Sequence, residues 1–147
     1  MFKYKINRPP HTPLPYGKIV AIKEDEVLSG MINGKDASDI EERFYRALSK
    51  DKRVTGMEFR FPVISPRSMP GQLEIDFVVQ SAGLVYSFQI DGAFAHKGVG
   101  KKQDDARKDV LSNAFMRKYN SFPIKRIPGE MLSTQEQANQ TVKELIR

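Results

Sequence analysis

The 147-residue chain contains no cysteine. That absence excludes a disulfide framework, a thiolate zinc site and a cysteine nucleophile, and it permits a reducing, intracellular setting. Histidine is scarce, with only His11 and His96, so imidazole chemistry has few places to sit. Long apolar runs are missing too: Met1 to Leu14 mixes Lys and Arg with Pro, which fits neither a signal peptide nor a membrane anchor. No internal repeat, low-complexity tract or zinc finger is visible. The expectation is a soluble, cytoplasmic protein with no membrane partner.

What the chain does have is enough apolar surface for one core, with 39% hydrophobic and 10% aromatic residues. One domain with short tails is the default at this length. Lys and Arg number 24 against 18 Asp and Glu, a net charge of +6. An excess of positive charge favours polyanionic partners, nucleic acid first, although charge speaks to association and not to fold.

Four prolines, Pro9, Pro10, Pro13 and Pro15, remove backbone donors and make residues 1–36 an N-terminal arm, with one short strand around Ile19 to Ile22. The domain proper is expected over 37–147. Ser38 is placed to cap a helix and Glu41, three residues on, completes a capping box. Ile40, Phe44, Tyr45, Ala47 and Leu48 give that helix one apolar face as far as Lys50. Met57, Phe59, Phe61 and Val63 alternate with polar residues, the period of a half-buried strand. Ser65 to Gly71 breaks the pattern. Leu73 to Gln80 and Leu84 to Ile90 then read as two strands joined at Ser81-Ala82-Gly83, a hairpin or meander. Gly98 to Lys102 reads as a mobile glycine- and lysine-rich segment. Asp104 to Tyr119 reads as a helix with Ala106, Val110, Leu111, Ala114 and Phe115 inward. A strand from Phe122 to Ile127 stops at Pro128-Gly129, and Ser133 or Thr134 caps a last helix carrying Ala138, Val142, Leu145 and Ile146. This is an α/β chain in the order helix, three strands, helix, strand, helix, a mixed central sheet of about four strands flanked by helices.

Asp76 interrupts a strand that otherwise reads as buried, where a carboxylate costs several kcal/mol unless it is paired or holds a cation. Exposure on an edge strand, shared with Glu74, is the structural alternative. The next strand ends Gln89-Ile90-Asp91-Gly92, so Gln89 and Asp91 share one face. Two adjacent strands that each end in a carboxylate make a site of hard oxygen ligands, as Mg²⁺ prefers, whereas Asp-Gly by itself is a turn dipeptide. His96 follows five residues after Asp91, with a pKa range suited to a proton carrier. His11, in the arm, has no such company.

The runs Leu73-Glu74-Ile75-Asp76-Phe77-Val78-Val79, Phe88-Gln89-Ile90-Asp91-Gly92-Ala93-Phe94-Ala95-His96 and Asp104-x-x-Arg107-x-x-x-Leu111 resemble the very-short-patch-repair (Vsr) endonucleases and the EDxHD homing endonucleases, a branch of the PD-(D/E)XK nucleases. The resemblance covers residues 37–147 and implies a restriction-endonuclease-like core. It implies a metal-binding role for Asp76, an acid at the metal in Asp91, proton transfer by His96, and completion of the metal shell by Glu41. Gln89 stands where the wider superfamily has Glu or Asp, and Asp91 where it has Lys. Gln89 offers a neutral oxygen and no charge. The zinc site of the Vsr type has no cysteines to form it. Capping explains Glu41 without a metal, and a helix N-terminus favours Asp104, which Arg107 can also pair.

The implied activity is Mg²⁺-dependent hydrolysis of DNA phosphodiester bonds, with Mn²⁺ able to substitute. Lys97, Lys101, Lys102, Arg107 and Lys108 would neutralise the DNA backbone. The alternative is a catalytically weakened nuclease-fold subunit that binds DNA within a larger assembly. A domain this small would cut both strands as a homodimer or inside a larger complex, and in a bacterium or phage it would act at the nucleoid.

Overall fold

The computed structural model describes residues 28–64, 73–92 and 99–146, with only the backbone course given for 99–103. The expected strand at Ile19 to Ile22 lies outside the described residues. The described chain is mixed α/β and falls into two compact units, one of residues 53–128, the other of residues 28–52 with 129–146.

The first unit is built on a four-stranded sheet whose strands lie side by side in chain order, Val54–Pro62, Glu74–Ser81, Leu84–Asp91 and Lys125–Pro128. Strands β3 (Val54–Pro62), β4 (Glu74–Ser81) and β5 (Leu84–Asp91) form an antiparallel meander. Helix α2 (Val99–Met116) then crosses over, so β6 (Lys125–Pro128) lies parallel to β5. A parallel neighbour needs such a crossover, and a helix is its usual form. The β4–β5 hairpin closes on Ala82 and Gly83, both at positive φ, the geometry that a two-residue turn requires to follow the strand twist. Strand β4 is central and buried on both faces: Ile75, Phe77, Val78 and Val79 are each 1% exposed or less. Leu111, Phe115 and Met116 of α2 pack with Val63, Leu73, Ile75, Val78 and Val85.

Helix α2 differs from expectation at both ends of its description. It includes 99–102, where glycine and lysine suggested a mobile segment, because lysine is a good helix former. Its inward side combines Leu111, Phe115 and Met116, which pack on the sheet, with Asp105, Asp109 and Ser112. Val110 is 67% exposed, and Ala106 and Ala114 are exposed as well. Of the residues expected inward, Leu111 and Phe115 do pack on the core, whereas Asp105 and Asp109 take inward places nearer the helix start that apolar periodicity does not select. Strand β6 is also shorter than expected. Only a single bridge from Ser121 to Val85 precedes it, and Pro123 brings no N–H to a ladder.

The second unit holds helix α1 (Asp39–Lys50) against α3 (Gln135–Leu145), with a hairpin of β1 (Met31–Ile32) and β2 (Lys35–Asp36) ahead of them. Ser38 and Glu41 form the expected capping box, and Thr134 caps α3. Phe44, Tyr45, Ala47 and Leu48 are buried on α1, as are Ala138 and Val142 on α3. Two side-chain to backbone bonds tie the halves: Arg43 Nη1 donates to the Leu132 carbonyl at 3.1 Å, and Gln135 Nε2 donates to the Arg43 carbonyl at 2.9 Å. Glu42, 2% exposed, accepts from the backbone N–H of Ser29 (3.0 Å) and of Gly30 (2.7 Å), and pairs with Arg46 at 3.0 Å. Residues 29–36, expected within the arm, are thus part of this unit.

Candidate active site

The recorded backbone pairing of β4 with β5 runs from Ser81↔Leu84 to Phe77↔Phe88. At the next step two side chains take over. The Asp76 N–H donates to Gln89 Oε1 at 3.0 Å, and Gln89 Nε2 donates to the Glu74 carbonyl at 3.0 Å. From the other side, the Ile90 N–H donates to Asp76 Oδ2 at 2.8 Å. Backbone groups that leave a ladder must find partners, and Asp76 and Gln89 supply them. The strands therefore part at a fork whose crossbars are these two side chains.

Asp91, at the end of β5, accepts from Arg126 Nη1 at 2.8 Å. Arg126 stands on β6 in register with Gln89. It donates through Nε and Nη2 to the two oxygens of Asp109 on α2, each at 2.9 Å, a bidentate fork of the kind guanidinium geometry favours. Asp105 lies 3.9 Å from Nη1. Partial burial alone would lower the Arg126 pKa, but hydrogen bonds to Asp109 and Asp91 outweigh it and raise the guanidinium above its ordinary range. Three carboxylates share one guanidinium here, and Asp76 is bonded to the residue next to Asp91. Among the described side chains of this cluster, negative charge is in excess.

Of the residues singled out in the sequence, Asp76, Gln89 and Asp91 come together here. Glu41 belongs to the other compact unit, where its Oε1 accepts from the Ser38 N–H at 2.9 Å. His96 and Lys97 lie outside the described residues. Lys101 and Lys102 fall on the α2 backbone. Arg107 is exposed on α2, and Lys108 pairs with Asp104 at 3.1 Å one turn away. Arg126, Asp105 and Asp109 escaped the sequence reading. Asp105 and Asp109 are four apart on a helix, a spacing that puts two acids on one face, but nothing in the sequence ties that face to Arg126.

Among the described residues no three His, Cys, Asp or Glu side chains form a closed metal cage. Mg²⁺ seldom uses one: it keeps several waters and is held by one or two carboxylates with substrate phosphates. Asp76 and Asp91 lie on the adjacent strands β4 and β5. No family model, no curated protein and no solved structure matches the chain.

Proposed function

We propose that the protein is a metal-dependent DNA endonuclease with a restriction-endonuclease-like core, its site at the fork of β4 and β5. One observation carries this reading: the Asp76 carboxylate sits on the Ile90 amide, directly beside Asp91 in the chain. Asp76 and Asp91 stand on adjacent strands near Asp105 and Asp109, and a divalent cation would offset negative charge there alongside Arg126.

Asp76 and Asp91 would hold the ion, and Gln89 would keep Asp76 in place through its own backbone bonds. A divalent cation bound there would stabilise charge on the phosphate and acidify a water molecule. His96 is the proposed proton carrier. Lys97, Lys101, Lys102, Arg107 and Lys108 would neutralise the DNA backbone and make binding salt-dependent.

The test is nicking of supercoiled plasmid with Mg²⁺ or Mn²⁺ by wild type and by Asp76→Asn. The expected result is metal-dependent nicking that the variant loses by at least tenfold. Equal or metal-independent activity in both would sink the proposal.

A second reading has its own observation. Asp91 is held by Arg126, and Gln89 is neutral and engaged with the main chain. Such an arrangement suits a nuclease-fold subunit that binds DNA without cutting it. DNA binding that persists in a chelator, with no cleavage of duplex, flap, junction or mismatch, favours it.

A further inference from the structure

The Arg126 cluster is better built than a surface ion pair. The Arg126 side chain is 29% exposed, with those of Asp91 at 27%, Asp109 at 22% and Asp105 at 19%. Three elements of one unit meet in it: β5 through Asp91, β6 through Arg126 and α2 through Asp109. The backbone fixes each member. Arg126 is registered against Gln89, and Asp91 against Pro128. The Ile124 N–H donates to Asn113 Oδ1 at 2.8 Å, pinning the start of β6 to the helix that carries Asp109. Asp109 occupies Nε and Nη2, which leaves Nη1 aimed at Asp91 Oδ1. The fork cannot rotate without breaking two bonds at once.

We infer that Arg126, anchored by Asp109, is the positioning residue that sets the Asp91 carboxylate for metal binding. The inference rests on the proposed site at Asp76 and Asp91. A carboxylate ligand free to rotate loses entropy when it binds a cation, and one already oriented by a hydrogen bond does not. Partners of ligating side chains change metal affinity by roughly 10- to 100-fold for this reason. Arg126 also brings positive charge, which opposes a second cation. Orientation outweighs that opposition here because Asp109 and Asp105 surround the guanidinium with two more carboxylates.

Full-length wild type, Asp109→Asn, Arg126→Lys and Arg126→Gln are compared by calorimetric titration with Mn²⁺ alone, by thermal unfolding, and by the Mg²⁺ concentration giving half-maximal nicking. Asp109→Asn keeps an acceptor for one guanidinium nitrogen and loses the bidentate clamp. Its expected Mn²⁺ affinity is lower by roughly tenfold, with a matching rise in the half-maximal Mg²⁺ and little change in rate at saturating metal. Arg126→Lys keeps the charge but not the fork, and falls with Asp109→Asn. Arg126→Gln is weaker still. Variants that lower the unfolding temperature but bind Mn²⁺ as wild type does overturn the inference, since Arg126 is then only structural. Tighter Mn²⁺ binding by Arg126→Gln overturns it as well, because Arg126 then competes with the metal. Failure of the site itself looks different: wild type neither binds Mn²⁺ nor nicks DNA, and the inference falls with it.

Discussion

An aspartate in a central strand has to be accounted for twice, once for its desolvation and once for its charge. At Asp76 the first account is structural: its Oδ2 satisfies the Ile90 amide where the ladder stops. The two roles separate on substitution. Asp76→Asn keeps an oxygen acceptor for that amide and removes the charge. Asp76→Ala removes both, leaving a partly buried N–H unsatisfied at a cost of about 1–3 kcal/mol. Urea unfolding is therefore expected to show Asp76→Asn within about 1 kcal/mol of wild type and Asp76→Ala clearly below it. If both fall equally, the charge holds the fork, and nicking lost in Asp76→Asn no longer isolates the chemistry. Asp76 and Gln89 stood out in the sequence because polar residues interrupt apolar strands. Arg126 did not, because an arginine on a short edge strand is ordinary, and its partners lie 35 and 17 residues away.

Turns are the element-scale features where local sequence has most authority, and the two hairpins differ in how well they use it. Asn33 and Gly34 take positive φ at 49° and 81°, a conformation to which Asn-Gly is well suited. That dipeptide is a strong hairpin signal, but the strands beside it are two residues each, too short for alternation to appear, so the hairpin was not read. The β4–β5 turn places Ala82 at φ 52°, where Cβ crowds the following carbonyl. Ala82→Asn is expected to stabilise the protein by about 0.5–1 kcal/mol, seen as a higher thermal midpoint. An unchanged or lower midpoint would mean that the Ala82 backbone carries little strain. Helix α1 was legible to its caps because its apolar stripe and capping box agree. Helix α2 was legible only in its second half, where Leu111 and Phe115 pack on the sheet; nearer its start Arg126 on β6 draws Asp105 and Asp109 inward.

At the scale of the whole molecule, chain order was legible and unit boundaries were not. From α1 onward the α-helices and strands follow the expected order of helix, three strands, helix, strand, helix, with the unexpected β1–β2 hairpin ahead of them. The second unit, however, is assembled from chain that precedes and follows the first unit in sequence, residues 28–52 and 129–146, and no composition shift marks where the chain leaves and returns. Charge is the other global property. Net charge of +6 favours polyanions without saying where they would bind, and α2 carries acids as well as bases. Asp105 and Asp109 turn toward Arg126, while Arg107 is exposed and Lys108 is partly neutralised by Asp104 at 3.1 Å. On the proposed reading, the exposed bases contact phosphates and release counterions, so each free cation adds about 1 to the slope of log affinity against log salt. Arg107→Gln is thus expected to reduce that slope by about 1 for a non-specific duplex in a chelating buffer. Lys108→Gln should change it less, since Lys108 is already engaged by Asp104 and offers less charge to a phosphate. Fluorescence anisotropy across a salt series measures both, and a slope untouched by Arg107→Gln would remove this helix face from the DNA interface.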